Sequence, residues 1–218
     1  PGAAGGALGP LHEALAGKRT LDDPSVEELF SAKRRKSTDE ALASEVRCRA
    51  CPPTEGLADL VARQRCWAAA RALLGLPELP EDAAVRLLAA DRALDAGLLA
   101  AAVRRPSTPK LLEAALGDHL PPALLPGVLE VLLEVIEAHQ EFPPDDLEAA
   151  APGLPTQAEA VRFLSALADG CLPSLIRLEA DLLGRVADAL NILTKEQSRT
   201  ERSHAALRVA ARLGLDAA

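Results

Sequence analysis

Apolar residues recur at three- and four-residue steps along most of the chain, and proline or glycine separates one such stretch from the next. The longest stretch opens at Pro173 and runs to about Arg212 without a further proline. Its apolar stripe comprises Leu175, Leu182, Val186, Leu190 and Leu193. Positions spaced in this way share one face of a helix. We therefore predict a long C-terminal helix whose polar part, residues 194–203, is exposed or directed toward a partner.

Local signals mark where other helices begin and end. Thr156 and Glu159 have capping-box spacing ahead of an apolar run, which predicts a helix from Thr156 to Gly170. Ser37 and Glu40 have the same spacing and predict a second capping box. Gly117 is expected to end the helix that begins near Lys110, because glycine is favoured just after a helix C-terminus.

The most apolar segment runs from Leu124 to Ile136. Its apolar residues cover more than one side of a helix, which indicates burial on several sides. We therefore predict that this helix is the central buried element of the domain.

The fold class predicted from these patterns is all-α, an irregular helical-repeat-like bundle ending in a long C-terminal helix. The chain has one Trp, three Phe and no Tyr, a composition that disfavours β-sandwiches and barrels. No repeat of fixed period is evident, so regular repeat arrays are not supported. The double proline at Pro52 and Pro53 suggests a boundary between a flexible N-terminal segment, residues 1–52, with short helices and a basic run, and an all-α domain, residues 53–218.

Composition excludes some partners. The net charge is −8, which gives no global basic field for nucleic acid, and we expect no base-specific nucleic-acid binding. No apolar run approaches the roughly twenty residues of a membrane helix, so no membrane association is expected. The chain contains no methionine and opens on a glycine- and alanine-rich run, from which we expect it to be a fragment of a longer protein.

One short motif suggests where in the cell the protein is located. Lys33, Arg34, Arg35 and Lys36 form a compact basic run that is typical of nuclear localisation patches, and Lys18-Arg19 lies upstream of it. The alternative interpretation places these cations at the C-terminal end of a helix over residues 25–32, where they would interact favourably with the helix dipole.

No constellation in the sequence predicts catalysis. Cys48 and Cys51 have C-x-x-C spacing, but a zinc site needs two more ligands, and Cys66 and His12 do not have suitable spacing. We therefore expect Cys48 and Cys51 to be ordinary cysteines. The prediction is a chain that is not an enzyme, with no catalytic residue, no cofactor and no metal.

Apolar positions return near the end of the chain, after the polar part of the predicted long helix. Leu207, Val209 and Leu213 form this second patch, and a long helix is stable only where packing or a partner covers its apolar face. We predict that these residues face a partner.

Two passages resemble the C-terminal helical region of the nucleolar protein eleven family, a subunit of the small-subunit processome. The first is LADLVARQRCWAAARALLGLPELPEDAAVRLLAADR, Leu57 to Arg92, with its helix, leucine-proline turn and following helix. The second lies within Lys110 to Leu190 and includes the helix start PTQAEAVRFL.

This resemblance implies a non-catalytic scaffold in the nucleus and nucleolus that acts in pre-rRNA transcription, rRNA processing and small ribosomal subunit biogenesis. Its partners would be other proteins of a multi-subunit assembly, the processome subunits. Two other hypotheses stay open: an α-solenoid subunit of a vesicle tethering or coat complex, and a small helical enzyme.

Overall fold

The computed structural model describes residues 8–18, 20–31 and 34–191, and all regular secondary structure in these ranges is helical, as the sequence predicts. The helices are α1 (Gly9–Leu15), α2 (Pro24–Leu29), α3 (Arg35–Arg47), α4 (Glu55–Gln64), α5 (Trp67–Leu74), α6 (Glu81–Ala90), α7 (Ala96–Arg104), α8 (Pro109–His119), α9 (Leu125–Glu141), α10 (Pro144–Ala150), α11 (Gln157–Gly170) and α12 (Leu172–Leu175). A further helix, α13, covers residues 180–191. Among the described helices, none is both long enough and apolar enough to cross a bilayer.

Five of the described helices pack on the helix two places further along the chain. One row contains α3, α5 and α7, and the other contains α4, α6 and α8. Helix α11 then packs on α7 and α8 and brings α9 against the end of the stack. Stacking of successive helix pairs is typical of α-solenoids, although the helix lengths here vary too much for a regular repeat.

The core is divided into two clusters, and the division does not fall at the boundary predicted from the sequence. Leu11, Val26 and Leu42, all N-terminal to Pro52, are fully buried in one cluster with residues of α4, α5 and α6. The second cluster contains α8, α9 and α11, and both α6 and α7 contribute to each cluster. Helices α1, α2 and α3 therefore belong to the folded core, because their few apolar side chains are concentrated on the faces that pack inward.

The segment predicted to be most apolar forms most of α9, and most of its apolar side chains are buried. Leu129, Leu132 and Leu133 are at most 1% exposed. The helix packs mainly on α11 and lies in the second cluster only, so it is a core element of one half of the protein.

The prediction of one uninterrupted C-terminal helix from Pro173 is wrong. Helix α12 ends at Leu175, and residues 176–179 form a turn before α13 begins. The backbone N–H groups of Arg177 and Leu178 donate to carbonyls three residues earlier, which tightens the chain and ends the α-helical pattern. Val186 is buried in the second cluster, so part of the predicted stripe does pack on the core. The part of the predicted helix beyond residue 191 lies outside the described residues.

The helix-start signals have different outcomes. The capping box at Thr156 and Glu159 is confirmed, with the Glu159 backbone N–H donating to Thr156 Oγ1 at 3.3 Å and the Thr156 N–H donating to Glu159 Oε2 at 2.8 Å. The capping box predicted for Ser37 and Glu40 is wrong. Helix α3 begins two residues earlier, and Ser37 Oγ donates to the Arg34 carbonyl instead.

Gly117 does not end a helix, contrary to the sequence-based prediction. It lies inside α8, where α11 crosses at very short distance. A Cβ atom at Gly117 would lie 2.7 Å from the Gly170 carbonyl oxygen, and one at Gly170 would lie 2.2 Å from the Glu113 carbonyl oxygen. Both glycines are therefore required for the close backbone approach of the two helices.

Two arginines connect the loop after α7 to its neighbours. Arg162 of α11 donates from Nη2 to the carbonyls of Val103 at 3.1 Å and Arg105 at 2.9 Å. Arg105 is buried and donates to the Leu79 carbonyl, and its Nη1 lies 3.8 Å from Glu81 Oε1. Burial lowers the pKa of Arg105, and Glu81 opposes that shift. These contacts join the two clusters by satisfying backbone carbonyls before α6 and at the end of α7.

Candidate functional site

The predicted basic run begins α3. Arg34 is the N-cap residue of this helix, and Arg34, Arg35 and Lys36 are all exposed, while Lys33 lies outside the described residues. Helix α2 ends at Leu29, well before the run. The interpretation that these cations stabilise the C-terminal end of the preceding helix is therefore wrong, and at the N-terminus of α3 the helix dipole disfavours them.

The described part of the basic run, Arg34 to Lys36, lies on the surface at the start of α3. Thr38, in the first turn of α3, is buried, and its Oγ1 donates to the Leu29 carbonyl at 2.7 Å. This bond ties the start of α3 to the end of α2. The dipole of α3 does not stabilise these positive charges, and an acidic partner could do so by binding there. Nuclear localisation stays a prediction.

The two cysteines of the C-x-x-C pair lie in different environments. Cys48 is the exposed C-cap residue of α3, and Cys51 is buried in the first cluster. Both are free thiols.

Cys51 forms a group with His12 and Glu45. His12 Nε2 lies 2.7 Å from Glu45 Oε2, and Cys51 Sγ donates to the same oxygen at 3.4 Å. All three potential ligand atoms lie within 4.8 Å of one another. Burial first, and then the hydrogen bond and charge of Glu45, raise the pKa of Cys51 to about 12. The sequence analysis considered His12 as a zinc ligand without suitable spacing, and it did not identify Glu45.

The chain reverses sharply after α3 to bring Cys51 to Glu45. Arg49 adopts the left-handed conformation, with φ 56°. The Ala50 N–H donates to the Glu45 carbonyl at 2.9 Å, and the Arg49 N–H donates to the Val46 carbonyl at 3.0 Å, which together form a Schellman motif. Glycine is the usual residue at the left-handed position of this motif, so an arginine there gave no sequence signal for the reversal.

The other two cysteines, Cys66 and Cys171, are buried. Burial and the negative charge of Asp39 raise the pKa of Cys66 to about 12, against a smaller opposing effect of Arg35. Burial also raises the pKa of Cys171, whose Sγ donates to the Leu116 carbonyl at 3.6 Å. Because the thiolate is the reactive form, neither side chain has the properties of a nucleophile.

An open concavity of about 340 Å³ lies where the C-terminus of α8 meets the start of α12. Its lining includes His119, Cys171 and Ser174. His119 Nε2 lies 3.9 Å from Asp82 Oδ1, and the Cys171 thiol is directed to a carbonyl, so the described contacts do not pair a base with a nucleophile here. This arrangement gives no support to the enzyme hypothesis.

The predicted partner-facing residues Leu207, Val209 and Leu213 lie outside the described residues. Comparison with known proteins found no matching family model, no similar curated protein and no similar solved structure. The fold and the surfaces described above define the class of this protein as an all-α, solenoid-like helical bundle.

Proposed function

We propose that this protein is a non-catalytic interaction module of a nuclear, and specifically nucleolar, assembly that acts in pre-rRNA transcription and small ribosomal subunit biogenesis. Its partners would be other proteins of the assembly, the processome subunits. The observation that carries the nuclear part of the proposal is the exposed basic run at the start of α3. The resemblance of Leu57–Arg92 and of the passage within Lys110 to Leu190 to the nucleolar protein eleven family supports the nucleolar part.

The fold supports a scaffold role. Stacked helix pairs present long surfaces on both sides of the row, and such surfaces are used to bind other proteins. The exposed large apolar side chains Leu172 and Ile176, which are 58% and 71% exposed, lie beside the turn between α12 and α13. Exposed apolar side chains that form a contiguous patch mark surfaces where other proteins bind, and these two side chains would belong to such a surface in the proposed scaffold.

The proposed nuclear localisation is tested by changing Lys33, Arg34, Arg35 and Lys36 together to alanine in the tagged full-length protein. Four arginines on the same protein provide a matched control with equal loss of charge. The control residues are Arg47, Arg65, Arg92 and Arg177, which are exposed and dispersed. We expect nuclear accumulation to be lost in the first variant and kept in the control. Unchanged nuclear accumulation in both variants would remove the argument from the basic run.

The partners are tested by affinity purification of the tagged full-length protein followed by mass spectrometry. Recovery of processome subunits supports the proposal, whereas recovery of vesicle tethering or coat subunits would replace it with the other scaffold hypothesis. A truncation that removes residues 203–218 tests the predicted partner-facing patch at Leu207, Val209 and Leu213. We expect this truncation to keep cooperative unfolding and to lose partners, and the opposite result would place the patch in the core.

A further inference from the structure

Three side chains of different chemistry converge at the surface of the first cluster. His12 lies on α1, Glu45 on α3, and Cys51 in the loop between α3 and α4. Their ligand atoms lie within 4.8 Å of one another, although the residues are far apart in the sequence. Imidazole nitrogen, carboxylate oxygen and thiolate sulfur are the three kinds of ligand atom found in zinc sites.

The donor set indicates which metal would bind. A thiolate and an imidazole are poor ligands for Mg²⁺ and Ca²⁺, which prefer oxygen, but zinc accepts nitrogen, oxygen and sulfur together. Bonds of about 2.0 to 2.3 Å in a tetrahedron separate the ligand atoms by roughly 3.3 to 3.6 Å. The 3.4 Å between Cys51 Sγ and Glu45 Oε2 already has this value. The 2.7 Å between His12 Nε2 and Glu45 Oε2 must open by about 0.6 Å, which a partly exposed histidine can do by rotating.

The exposure of the three groups provides a route for the ion. The side chains of His12 and Glu45 are 41% and 32% exposed, whereas Cys51 is buried beneath them at 1%. An ion would enter from solvent and keep a water molecule in the fourth position. Three protein ligands and one water molecule complete the four-coordinate shell that zinc prefers.

The ion would also have a structural consequence. Helix α1 has seven residues, too few to be stable without tertiary contacts, and Leu11 is its fully buried anchor. His12 follows this anchor directly. A metal bond from His12 to Glu45 and Cys51 would therefore fasten α1 to α3.

We propose that His12, Glu45 and Cys51 form a zinc-binding site with one open coordination position, and that the bound ion fastens α1 to α3 and to the loop that follows it. Neutral His12 binds through Nε2 and Glu45 through a carboxylate oxygen. The Cys51 thiol proton leaves to solvent as the bond between Sγ and zinc forms.

The test uses the purified full chain, freed of metal and titrated with Co²⁺, which occupies zinc sites and gives a thiolate-to-cobalt charge-transfer band in the near ultraviolet. We expect the band to appear in the parent and to disappear when Zn²⁺ is added. Cys51→Ser removes the sulfur ligand and should abolish the band. His12→Ala, at a partly exposed position that should not disturb folding, should weaken Co²⁺ binding by at least about tenfold.

Two control variants keep the result specific. Cys48→Ser changes an exposed thiol three residues from Cys51, and His119→Ala changes a histidine outside the cluster. Both should bind Co²⁺ like the parent, and circular dichroism should show that all variants have parental helix content. Absence of the band in the parent would overturn the proposal. So would a band that persists in both Cys51→Ser and His12→Ala, or one that Cys48→Ser abolishes.

Discussion

Asp39 of α3 caps a different helix by accepting a hydrogen bond from the backbone N–H of Ala69, at 2.8 Å from Asp39 Oδ1. Its Oδ2 accepts from the Ala68 N–H at 3.1 Å. The N-cap residue of α5, Cys66, provides no side-chain cap of its own. A carboxylate from a neighbouring helix thus satisfies two N–H groups and lies at the positive end of the α5 dipole.

We expect Asp39→Ala to lower the free energy of unfolding by about 1 to 2 kcal/mol, the usual cost of losing a cap. Asp39→Asn should cost less, because one acceptor oxygen remains while the charge is lost. Urea denaturation followed by circular dichroism measures both. Glu40→Ala, at the next and exposed position of α3, is the matched control. Equal stability of Asp39→Ala and Glu40→Ala would contradict the assigned capping role.

The crossing of α8 and α11 gives a second prediction. Gly170→Ala would place a Cβ atom 2.2 Å from the Glu113 carbonyl oxygen, and backbone atoms cannot rotate away as a flexible side chain would. The two helices must separate, which we expect to cost about 2 kcal/mol or more.

Gly184→Ala is the control for this prediction, because Gly184 lies in α13 and, outside the adjoining helix backbone, no atom of the described residues lies within 4 Å of the added Cβ. There alanine should stabilise the helix by about 0.5 to 1 kcal/mol. Thermal unfolding of both variants distinguishes these effects by sign. A stabilised or neutral Gly170→Ala would show that the helices do not cross as closely as described.

The helix boundaries that sequence could predict are those with local causes. Thr156 and Glu159 are three residues apart and cap their own helix, so their spacing alone was sufficient. Asp39 and Gly117 have partners on other helices, 29 and 30 residues away for Asp39. The sequence around Gly117 is compatible with a helix end and with a close helix crossing. Only the position of α11, which the local sequence does not contain, decides between the two.

The candidate metal site could not be predicted from the sequence for the same reason. His12, Glu45 and Cys51 belong to three segments, and the reversal that joins the last two depends on an arginine in the left-handed conformation. Hydrophobic periodicity reports which face of a helix is buried but not which helix covers it. The fold class was therefore predictable, whereas the pairing of helices and the convergence of side chains between them were not.

The buried Arg105 gives a third prediction. Replacing it with alanine would leave the Leu79 carbonyl without this donor and the Glu81 carboxylate without its buried cation. Glu81 keeps the hydrogen bond from the Thr108 N–H at 3.1 Å, so the main loss is at the Leu79 carbonyl. We expect Arg105→Ala to lower the free energy of unfolding by about 1 to 3 kcal/mol, the cost of leaving a buried polar group without its partner.

The neighbouring Arg104 provides the control, since it is exposed and bonds only within its own helix in the described hydrogen bonds. Arg104→Ala should change the free energy of unfolding by less than about 0.5 kcal/mol. Chemical denaturation measures the difference between the two variants. If the two substitutions lower the free energy of unfolding by the same amount, Arg105 does not connect the two clusters as its contacts indicate.

Arg65 and Arg49 give the last prediction, because each ends a helix in the left-handed conformation, with φ 55° and 56° respectively. For a residue with a side chain, the left-handed conformation costs about 1 to 2 kcal/mol. Glycine adopts this conformation without that cost, but ordering its more flexible backbone on folding costs about 0.5 to 1 kcal/mol more than for alanine. We therefore expect Arg65→Gly and Arg49→Gly each to raise the free energy of unfolding by about 0.5 to 1 kcal/mol. Arg47→Gly, within α3 itself, should lower it by about 1 kcal/mol, since glycine disfavours a helical position. Urea denaturation of the three variants measures the sign at each position, and a loss of stability in Arg65→Gly equal to that in Arg47→Gly would mean that Arg65 is not held in the left-handed conformation.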